Sequence, residues 1–517
     1  MESGGENGMK HLGDLVAGLP LSIPLTESQA ARPITAIAYD SRRVLPGTLF
    51  VCIEGYATDG HRFIPQALAQ GAAAILVSRP DAVPDSVEGA NGADTAAFLR
   101  TDDTRTALAH VSDRFFGHPS GDLSLIGVTG TKGKTTTTYM IRSVLKAAGR
   151  KTGLIGTIAN IIGDEEVYAS RTTPESPDLQ SLLSDMVRAG MDTCVMEVSS
   201  QGLMLRRVHG CEFDIGIYTN LYHDHIGPRE HASMEEYLEM KSRLFGMSRT
   251  ALVNLDAAGA DRILGAVTGL LVTLSLEREA DVRAFDLRQE VRDGRIGTAF
   301  QVRSPWMDGA FFVGMPGRFN VYNALAALAC GALSGIGAGE IRDGLAGVTV
   351  RGRVQPIATD GTYQVVVDYA HNAASLENLL STLREYVKGR LITVFGCGGD
   401  RARSRRFEMG AVSGRLSDLT ILTSDNPRTE DPAAILADIV TGITPTGGRF
   451  LAEIDRKTAI HQAVRMAEPG DMVVVAGKGH ENYQIFADRT IHFDDAEVAA
   501  EAVAIREAGG RPWNPSA

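Results

Sequence analysis

The stretch Gly127-Val-Thr-Gly-Thr-Lys-Gly-Lys-Thr-Thr-Thr137 decides the fold. Ahead of it, the apolar run Leu123 to Val128 reads as a buried strand. Behind it, Met140, Ile141, Val144, Leu145 and Ala148 share one helical face, and Gly149 stands where a C-terminal cap belongs. A strand, a glycine-rich turn and a helix N-terminus converge backbone N–H groups on one point, and the helix dipole adds partial positive charge. Lys134 brings a full charge for outer phosphates and Thr135 a hydroxyl for a magnesium ion. One position departs from the general phosphate-loop pattern: Val128 stands where glycine is usual, five residues before Gly133. The plainer reading is a glycine-rich turn that only caps a helix.

The rest of the chain sets the frame for this element. At 517 residues it is too long for one core, and about three domains are expected. Charged residues make up 22% and the net charge is -12, which argues against a general nucleic-acid surface. No apolar run reaches the ~20 residues that a membrane helix needs, and acidic Glu2 and Glu6 argue against a secretory signal. Five scattered cysteines without a CxxC pair suit reduced thiols in a cytoplasm and give no zinc ribbon.

Working outward, residues 1–103 read as a small α/β unit, with strands at Ile34 to Tyr39, Leu49 to Ile53 and Ala72 to Val77 and a helix at Phe63 to Ala69. Asp40-Ser-Arg42 and Gly55-Tyr-Ala-Thr-Asp-Gly60 are polar clusters that, alone, read as turns. Residues 104–348 alternate strands and helices around the phosphate loop, as in a parallel sheet covered on both faces. Thr193 to Glu197 and Phe213 to Tyr218 are strands there, followed by Val198-Ser-Ser-Gln201 and by Thr219-Asn220 with His223-Asp-His225. Ligands of such sheets gather at strand C-terminal ends, so Glu197 and His225 are placed to approach a phosphate-bound metal, or are satisfied loop residues. Thr173 and Pro174 read as the N-cap and first residue of a helix towards Gly190. Glu235 to Phe245 reads as a helix with Lys241 in its middle, by default a solvated charge.

Residues 349–517 repeat the alternation. Strands ending at Val367, Phe395, Leu422 and Val475 lead into Asp368-Tyr-Ala-His371, Gly396-Cys-Gly-Gly-Asp-Arg401, Ser424-Asp-Asn-Pro-Arg-Thr-Glu430 and Ala476-Gly-Lys-Gly-His-Glu481. Arg401, Arg403, Arg405 and Arg406 form a basic run, either a solvated face or an anion clamp. Four polar loops on one sheet suggest a second binding surface.

Together these motifs resemble the Mur ligases of peptidoglycan synthesis, and among them the members that add the third peptide residue. The resemblance runs from about Ile34 to Phe493. It implies an α/β protein of three domains: an N-terminal UDP-substrate domain, a central P-loop ATP-binding domain with a parallel sheet, and a C-terminal Rossmann-like domain that brings the amino acid. By motif, Gly130, Thr131, Lys132, Gly133, Lys134, Thr135, Thr136, Asn320, Asn323, Arg353 and Asp368 correspond to the ATP site. Ser41, Gly55, Tyr56 and Ala57 would contact the uridine part; Thr172, Thr173, Ser199 and Arg207 would hold the muramoyl-peptide. Thr135, Glu197 and His225 would place Mg2+, together with Lys241, which matches the family lysine that becomes N6-carboxylysine. Carbamylation turns a cation that magnesium repels into an oxygen ligand. Arg401, Asp425, Asn426, Pro427, Arg428, Gly477 and Glu481 match the diaminopimelate site.

Three stretches depart from the family pattern: Gln201 stands where histidine is common, Tyr222 to His231 is longer and more basic, and Val350-Arg-Gly-Arg353 has an extra arginine. The resemblance implies a cytoplasmic, monomeric enzyme that uses ATP to phosphorylate the D-glutamyl carboxylate of UDP-N-acetylmuramoyl-L-alanyl-D-glutamate. The amine of meso-diaminopimelate then attacks the acyl phosphate, with the third domain closing on the second. L-lysine is the rival amino acid, with Arg428 as the discriminating residue. Two rival functions stand beside this one. They are folylpolyglutamate synthase, which lacks the Asp-Ser-Arg domain, and a nucleotide-binding regulatory protein with a dead ligase site.

Overall fold

The computed structural model describes residues 10–22, 24–55, 58–82, 96–228, 230–292 and 295–509. Its residues fall into two compact units, Met1–Val282 with Ala326–Ile336 and Arg283–Leu325 with Gly337–Ala517.

The first unit holds two main sheets, besides the two-stranded pairing of Lys10–His11 with Pro33–Ile34. The smaller is parallel, in the order β1 (Ala36–Ala38), β2 (Thr48–Val51), β3 (Ala74–Val77), β4 (Ala97–Arg100). Alternate side chains fill opposite faces. Leu49, Val51, Leu76 and Leu99 pack on Leu108 and Val111 of helix α1 (Thr104–Phe116), while Phe50, Ile75, Val77 and Phe98 form a separate core. The strand expected over Ile34 to Tyr39 is broken at Thr35. Ile34 pairs antiparallel with Lys10, whereas Ala36–Ala38 pairs parallel with Thr48–Phe50, so the chain changes partner there.

The larger sheet is built on β5 (Ser124–Thr129), which feeds the glycine loop and helix α2 (Lys134–Ala147). Strands β6 (Thr152–Ile155), β7 (Asn160–Ile162), β8 (Glu165–Val167), β9 (Thr193–Glu197), β10 (Phe213–Tyr218), β11 (Ser248–Asn254) and β12 (Leu270–Ser275) complete it, in the order β8-β7-β6-β9-β5-β10-β11-β12. The pairings are parallel except at one edge, where β7 is antiparallel to both β6 and β8. Glu197 lies beside Val128 and Tyr218 beside Thr129, so β5, β9 and β10 deliver their following loops to one sheet edge.

Two helices differ from expectation. Helix α3 spans Ser176–Arg188 with Glu175 at the N-cap and Pro177 in its first turn, not Thr173 and Pro174. The Thr173 hydroxyl is committed elsewhere, donating to Glu197 O at 2.9 Å and accepting from Ser199 N at 3.0 Å. Helix α4 spans Met234–Ser242 and tightens into a 3-10 turn at Arg243–Met247, so Lys241 sits in its last turn.

In the second unit β13 (Val282–Arg292), β14 (Arg295–Arg303) and β15 (Gly309–Val313) are antiparallel, and helix α5 (Arg318–Leu333) follows. The C-terminal sheet runs β16 (Gln355–Ile357), β17 (Gln364–Asp368), β21 (Met472–Ala476), β18 (Leu391–Phe395), β19 (Leu419–Leu422), β20 (Phe450–Ala452), with only β16 antiparallel. Val366, Phe395 and Val474 pack one face and Val365, Val394 and Val473 the other, as the near-continuous apolar strands require. Asp368, Phe395 and Ala476 end in register, which brings the four polar loops to one edge.

Candidate active site

The glycine loop has the backbone its sequence demands. Gly130 has φ 151° and Gly133 φ 85°, and a Cβ on Gly130 would overlap the Thr219 hydroxyl. The loop is tied to the end of β10: Thr131 N donates to Asn220 O at 3.0 Å, Lys132 N to Asn220 Oδ1 at 2.8 Å, and Thr219 Oγ1 to Lys132 O at 2.8 Å. Tyr237 Oη donates to Thr131 Oγ1 at 3.2 Å from helix α4. These partners lie 87 or more residues further along the chain, and only the register of the parallel strands brings them here.

Two ammonium groups meet on one carbonyl. Lys134 Nζ donates to Gly130 O at 2.9 Å, and Lys241 Nζ donates to the same oxygen at 3.1 Å. Lys241 is 1% exposed, with its ammonium 4.0 Å from the Tyr237 ring centroid. The reading of Lys241 as a solvated charge is therefore wrong. Burial, and then the charge of Lys134, hold its pKa well below the ordinary lysine value. A site that gathers cations at a helix N-terminus is built for anions.

Glu197 lies at the end of β9, 1% exposed, and is held by three donors. Thr135 Oγ1 and Thr157 N reach Oε1 at 3.0 and 2.9 Å, and Thr157 Oγ1 reaches Oε2 at 3.1 Å. Thr157 Oγ1 is also 3.0 Å from Thr172 Oγ1, which links the carboxylate to the Thr172-Thr173 turn. Ser199 caps the short helix Ser200–Met204 through Gly202 N. Arg207 Nη1 donates to Thr173 O at 3.1 Å and Nη2 lies 2.8 Å from Glu175 Oε1. Glu175 also faces Arg105 at 3.6 Å, and burial lowers the pKa of Arg207.

Lys134, Thr172, Thr173, Ser199, Arg207, His225 and Lys241, seven of the predicted residues, line one cleft of about 340 Å³. Arg171, Ser200, Gln201 and Tyr237 complete its wall. His225 has φ 58°, and its Nδ1 is 2.8 Å from Glu230 Oε1. The longer loop also supplies His231, fully buried, with Nε2 2.8 Å from Ser200 Oγ. Thr135 and Glu197, both buried, are not among the residues that line the cleft. Among the described residues no group of three or more His, Cys, Asp or Glu side chains could hold a metal ion.

Of the predicted uridine contacts, Ser41 and Gly55 are not among the residues that line this cleft. Ser41 is buried and donates to Gln66 Oε1 at 2.9 Å, and Gly55 N donates to Thr58 O at 3.0 Å. Tyr56 and Ala57 lie outside the described residues.

In the second unit, Asp368 accepts from Val354 N and Ala370 N, both at 2.8 Å. Burial raises its pKa against the lowering effect of Arg353. Arg353 stacks 5.0 Å from the Tyr369 ring, and His480, 4.7 Å from that ring, has a pKa pushed down to about 4 by burial and then by Arg353. Asn320 and Asn323 are buried at the start of α5, where Asn320 Nδ2 donates to Pro316 O and Asn323 Nδ2 to Asn320 Oδ1.

Arg428, Asn426, Asp425, Gly477 and Glu481 do converge. A Cβ on Gly477 would fall 2.8 Å from Asp425 Oδ2, and Asn426 Nδ2 donates to Glu481 Oε2 at 2.9 Å. Pro427 keeps Arg428 at the loop tip with φ 52°, and Arg428 Nη1 donates to Gly399 O at 2.8 Å. No carboxylate among the described residues pairs with Arg428. Arg401 is exposed, while Arg403 and Arg406 are used internally, on Asp438 and on Asp438 with Glu430. The basic run is therefore half consumed by the fold.

Sequence reasoning missed Thr157, Glu175, Tyr237 and Lys478. Tyr237 had a signal, since it lies four residues before Lys241 and shares its helical face.

Comparison with known proteins matches this arrangement. The Mur ligase middle domain model covers residues 128–331, the Mur ligase glutamate ligase domain 352–479 and the Mur ligase family catalytic domain 33–116. The chain is 42% identical over 475 residues to the UDP-N-acetylmuramoyl-L-alanyl-D-glutamate--2,6-diaminopimelate ligase of Clostridium botulinum, covering 91% of this chain and 95% of that protein. The Clostridium tetani protein of the same name is 43% identical over 473 residues, with the same coverage of 91% and 95%. A solved structure of a ligase of that name superposes with a TM-score of 0.69 at 32% identity, covering 94% of this chain and 98% of the other. With likeness of that degree running over nine-tenths of its length, the chain belongs to the Mur ligase family.

Proposed function

We propose that the chain joins meso-diaminopimelate to UDP-N-acetylmuramoyl-L-alanyl-D-glutamate, using ATP, in peptidoglycan precursor synthesis. The observation that carries this reading is the pair of lysines on Gly130 O, which line a cleft together with Arg171 and Arg207. Such a cleft suits a polyphosphate and a carboxylate brought close together, which ligation through an acyl phosphate requires.

ATP is the family's phosphoryl donor, and Lys134 neutralises charge on the phosphates as transfer proceeds. Arg207, fixed by Glu175 and Thr173 O, would grip a carboxylate of the muramoyl-dipeptide with little reorganisation. The donor set fits Mg2+, which takes one or two carboxylates and leaves its other positions to water and phosphates. Thr135, Glu197 and His225 would hold it with Lys241 as carbamate, and it would supply charge neutralisation on the transferred phosphoryl group. Lys241 is suited to carbamylation because only a neutral amine adds carbon dioxide, releasing one proton. An ordinary lysine at pH 7.5 is neutral to about one part in a thousand; the buried Lys241 is neutral far more often.

In the second unit Asp368 and Arg353 are assigned to the nucleotide. Asn426 and Glu481 would receive the amino acid's ammonium end. Arg428, half-buried and without a protein carboxylate, suits the distal carboxylate of diaminopimelate, which lysine lacks. The reading places the enzyme in the cytoplasm as a monomer.

The test is phosphate release by purified protein. Release that needs ATP, the UDP-muramoyl-dipeptide and meso-diaminopimelate together supports the proposal. Release with L-lysine in preference reassigns the amino acid, and no release with either, at intact fold, leaves only a nucleotide-binding protein.

A further inference from the structure

Lys478 lies in the turn after β21 and is fully buried, one of the largest side chains in the protein with no exposure. Its ammonium has two polar partners, Asn426 Oδ1 at 3.2 Å and Glu481 Oε2 at 3.4 Å, and stands 5.4 Å from the Tyr483 ring centroid. A buried cation is expensive to keep unless it does something that an apolar residue cannot.

Its role follows from the donors around one amide. Asn426 Oδ1 accepts from Lys478 Nζ and from Ile485 N at 3.0 Å. Both partners are donors only, so the amide oxygen has to face them. The other end of the amide, Nδ2, is thereby forced towards Glu481 Oε2, 2.9 Å away. Glu481 Oε1 takes the Tyr369 hydroxyl at 3.3 Å. The carboxylate is thus pinned from both sides, and its remaining lone pairs are left for a ligand.

We infer that Lys478 is a positioning residue for the amino-acid substrate: it fixes the orientation of the Asn426 amide and the Glu481 carboxylate so that both present a formed site to an incoming ammonium group. This deepens the function proposed above, on which the identity of that ligand rests. Without Lys478, only Ile485 N still holds the Asn426 oxygen, so the amide and its Nδ2 contact with Glu481 are less firmly set. Glu481 also loses its neighbouring cation.

The experiment uses the full-length enzyme with Lys478→Met, Asn426→Ala and the double variant, measuring KM for each of the three substrates, kcat and the melting temperature. Lys478→Met is expected to raise KM for the amino acid about tenfold or more, as loss of one charge-assisted contact does. KM for ATP and for the UDP-muramoyl-dipeptide should stay within about twofold on the same scale. The double variant should lose less than the sum of the two single variants, because part of what Lys478 does runs through the Asn426 amide. Lys478→Arg keeps a cation and its donors and should retain most of the affinity.

An unchanged amino-acid KM in Lys478→Met, an equal rise in all three KM values, or additive losses in the double variant would overturn the inference. So would an Arg variant that folds normally but loses affinity as fully as Met, or unfolding of both Lys478 variants, which would assign the lysine to the fold. Wild type is assayed first with meso-diaminopimelate and L-lysine. If it uses lysine, the substrate assignment fails while the role of Lys478 is still decided, on lysine KM.

Discussion

Lys241→Met separates what the active site needs from what the fold prefers. The wild-type ammonium is buried against one carbonyl at 3.1 Å and the Tyr237 face at 4.0 Å, and no carboxylate among the described residues pairs with it. Methionine has nearly the same length and no charge to desolvate. Replacing buried charge with well-packed apolar atoms commonly gains about 1–4 kcal/mol, and the lost hydrogen bond to Gly130 O takes back about 1 kcal/mol. A net gain of about 0–3 kcal/mol is expected, or a rise in melting temperature of up to roughly 12 °C. Ligation should meanwhile fall at least about a hundredfold, the scale of losing one preorganised charged group.

The pH dependence gives the sharper check. The folded-state pKa of Lys241 is depressed, so between that value and the unfolded lysine value the unfolded chain holds a proton that the folded chain does not. Wild-type stability therefore rises with pH across that window, and the penalty is fully present only below the folded pKa. The Met variant has no such slope. Melts of both proteins in carbon-dioxide-free buffer at pH 7, 8 and 9 should show the largest gap at pH 7 and a narrowing gap towards pH 9. A Met variant less stable than wild type at pH 7, a gap that widens with pH, or full activity in the variant would refute the reasoning.

Lys134→Ala should abolish phosphate release, by about a hundredfold or more, with a melting temperature close to wild type; a normal rate at saturating ATP would remove the phosphate loop from the mechanism. Arg428→Ala should lower kcat/KM for meso-diaminopimelate by roughly 30-fold or more, from ~2–5 kcal/mol for a broken buried charge pair, and narrow the gap to L-lysine. Discrimination kept in full by that variant would end the assignment. Glu175→Gln leaves Arg207 and Arg105 without their shared carboxylate, and a drop of about 3–5 kcal/mol should show as a clear loss of melting temperature. An unchanged melt would mean that water, not Glu175, satisfies the two guanidinium groups.

The strands that carry the site were legible because their signal is local. Thr193–Glu197, Phe213–Tyr218, Leu391–Phe395 and Leu419–Leu422 have the bounds that their apolar runs and turn residues suggest. The misreadings occur where tertiary contacts compete with a local preference. Thr173-Pro174 has the composition of a helix start, but Thr173 holds Glu197 O and Ser199 N, and the helix waits for Glu175. Arg403 and Arg406, three apart on one helical face, have the spacing of a pair free to meet an anion. They meet Asp438, which lies 32 residues beyond Arg406, on a neighbouring helix.

Burial of charge is the property that the sequence hid most completely. Lys241 sits in a helix turn and Lys478 between two glycines, and either position would pass as solvated. What marks them is the set of groups they touch: Gly130 O for one, Asn426 Oδ1 and Glu481 for the other. Lys241 has no carboxylate partner among the described residues, and Lys478 has Glu481 at 3.4 Å, a buried pair whose desolvation offsets much of its attraction. Each instead leaves its unit with a cation poised against atoms assigned to substrate binding. A fold that buries two lysine amines against its own stability has a use for them that folding alone does not supply.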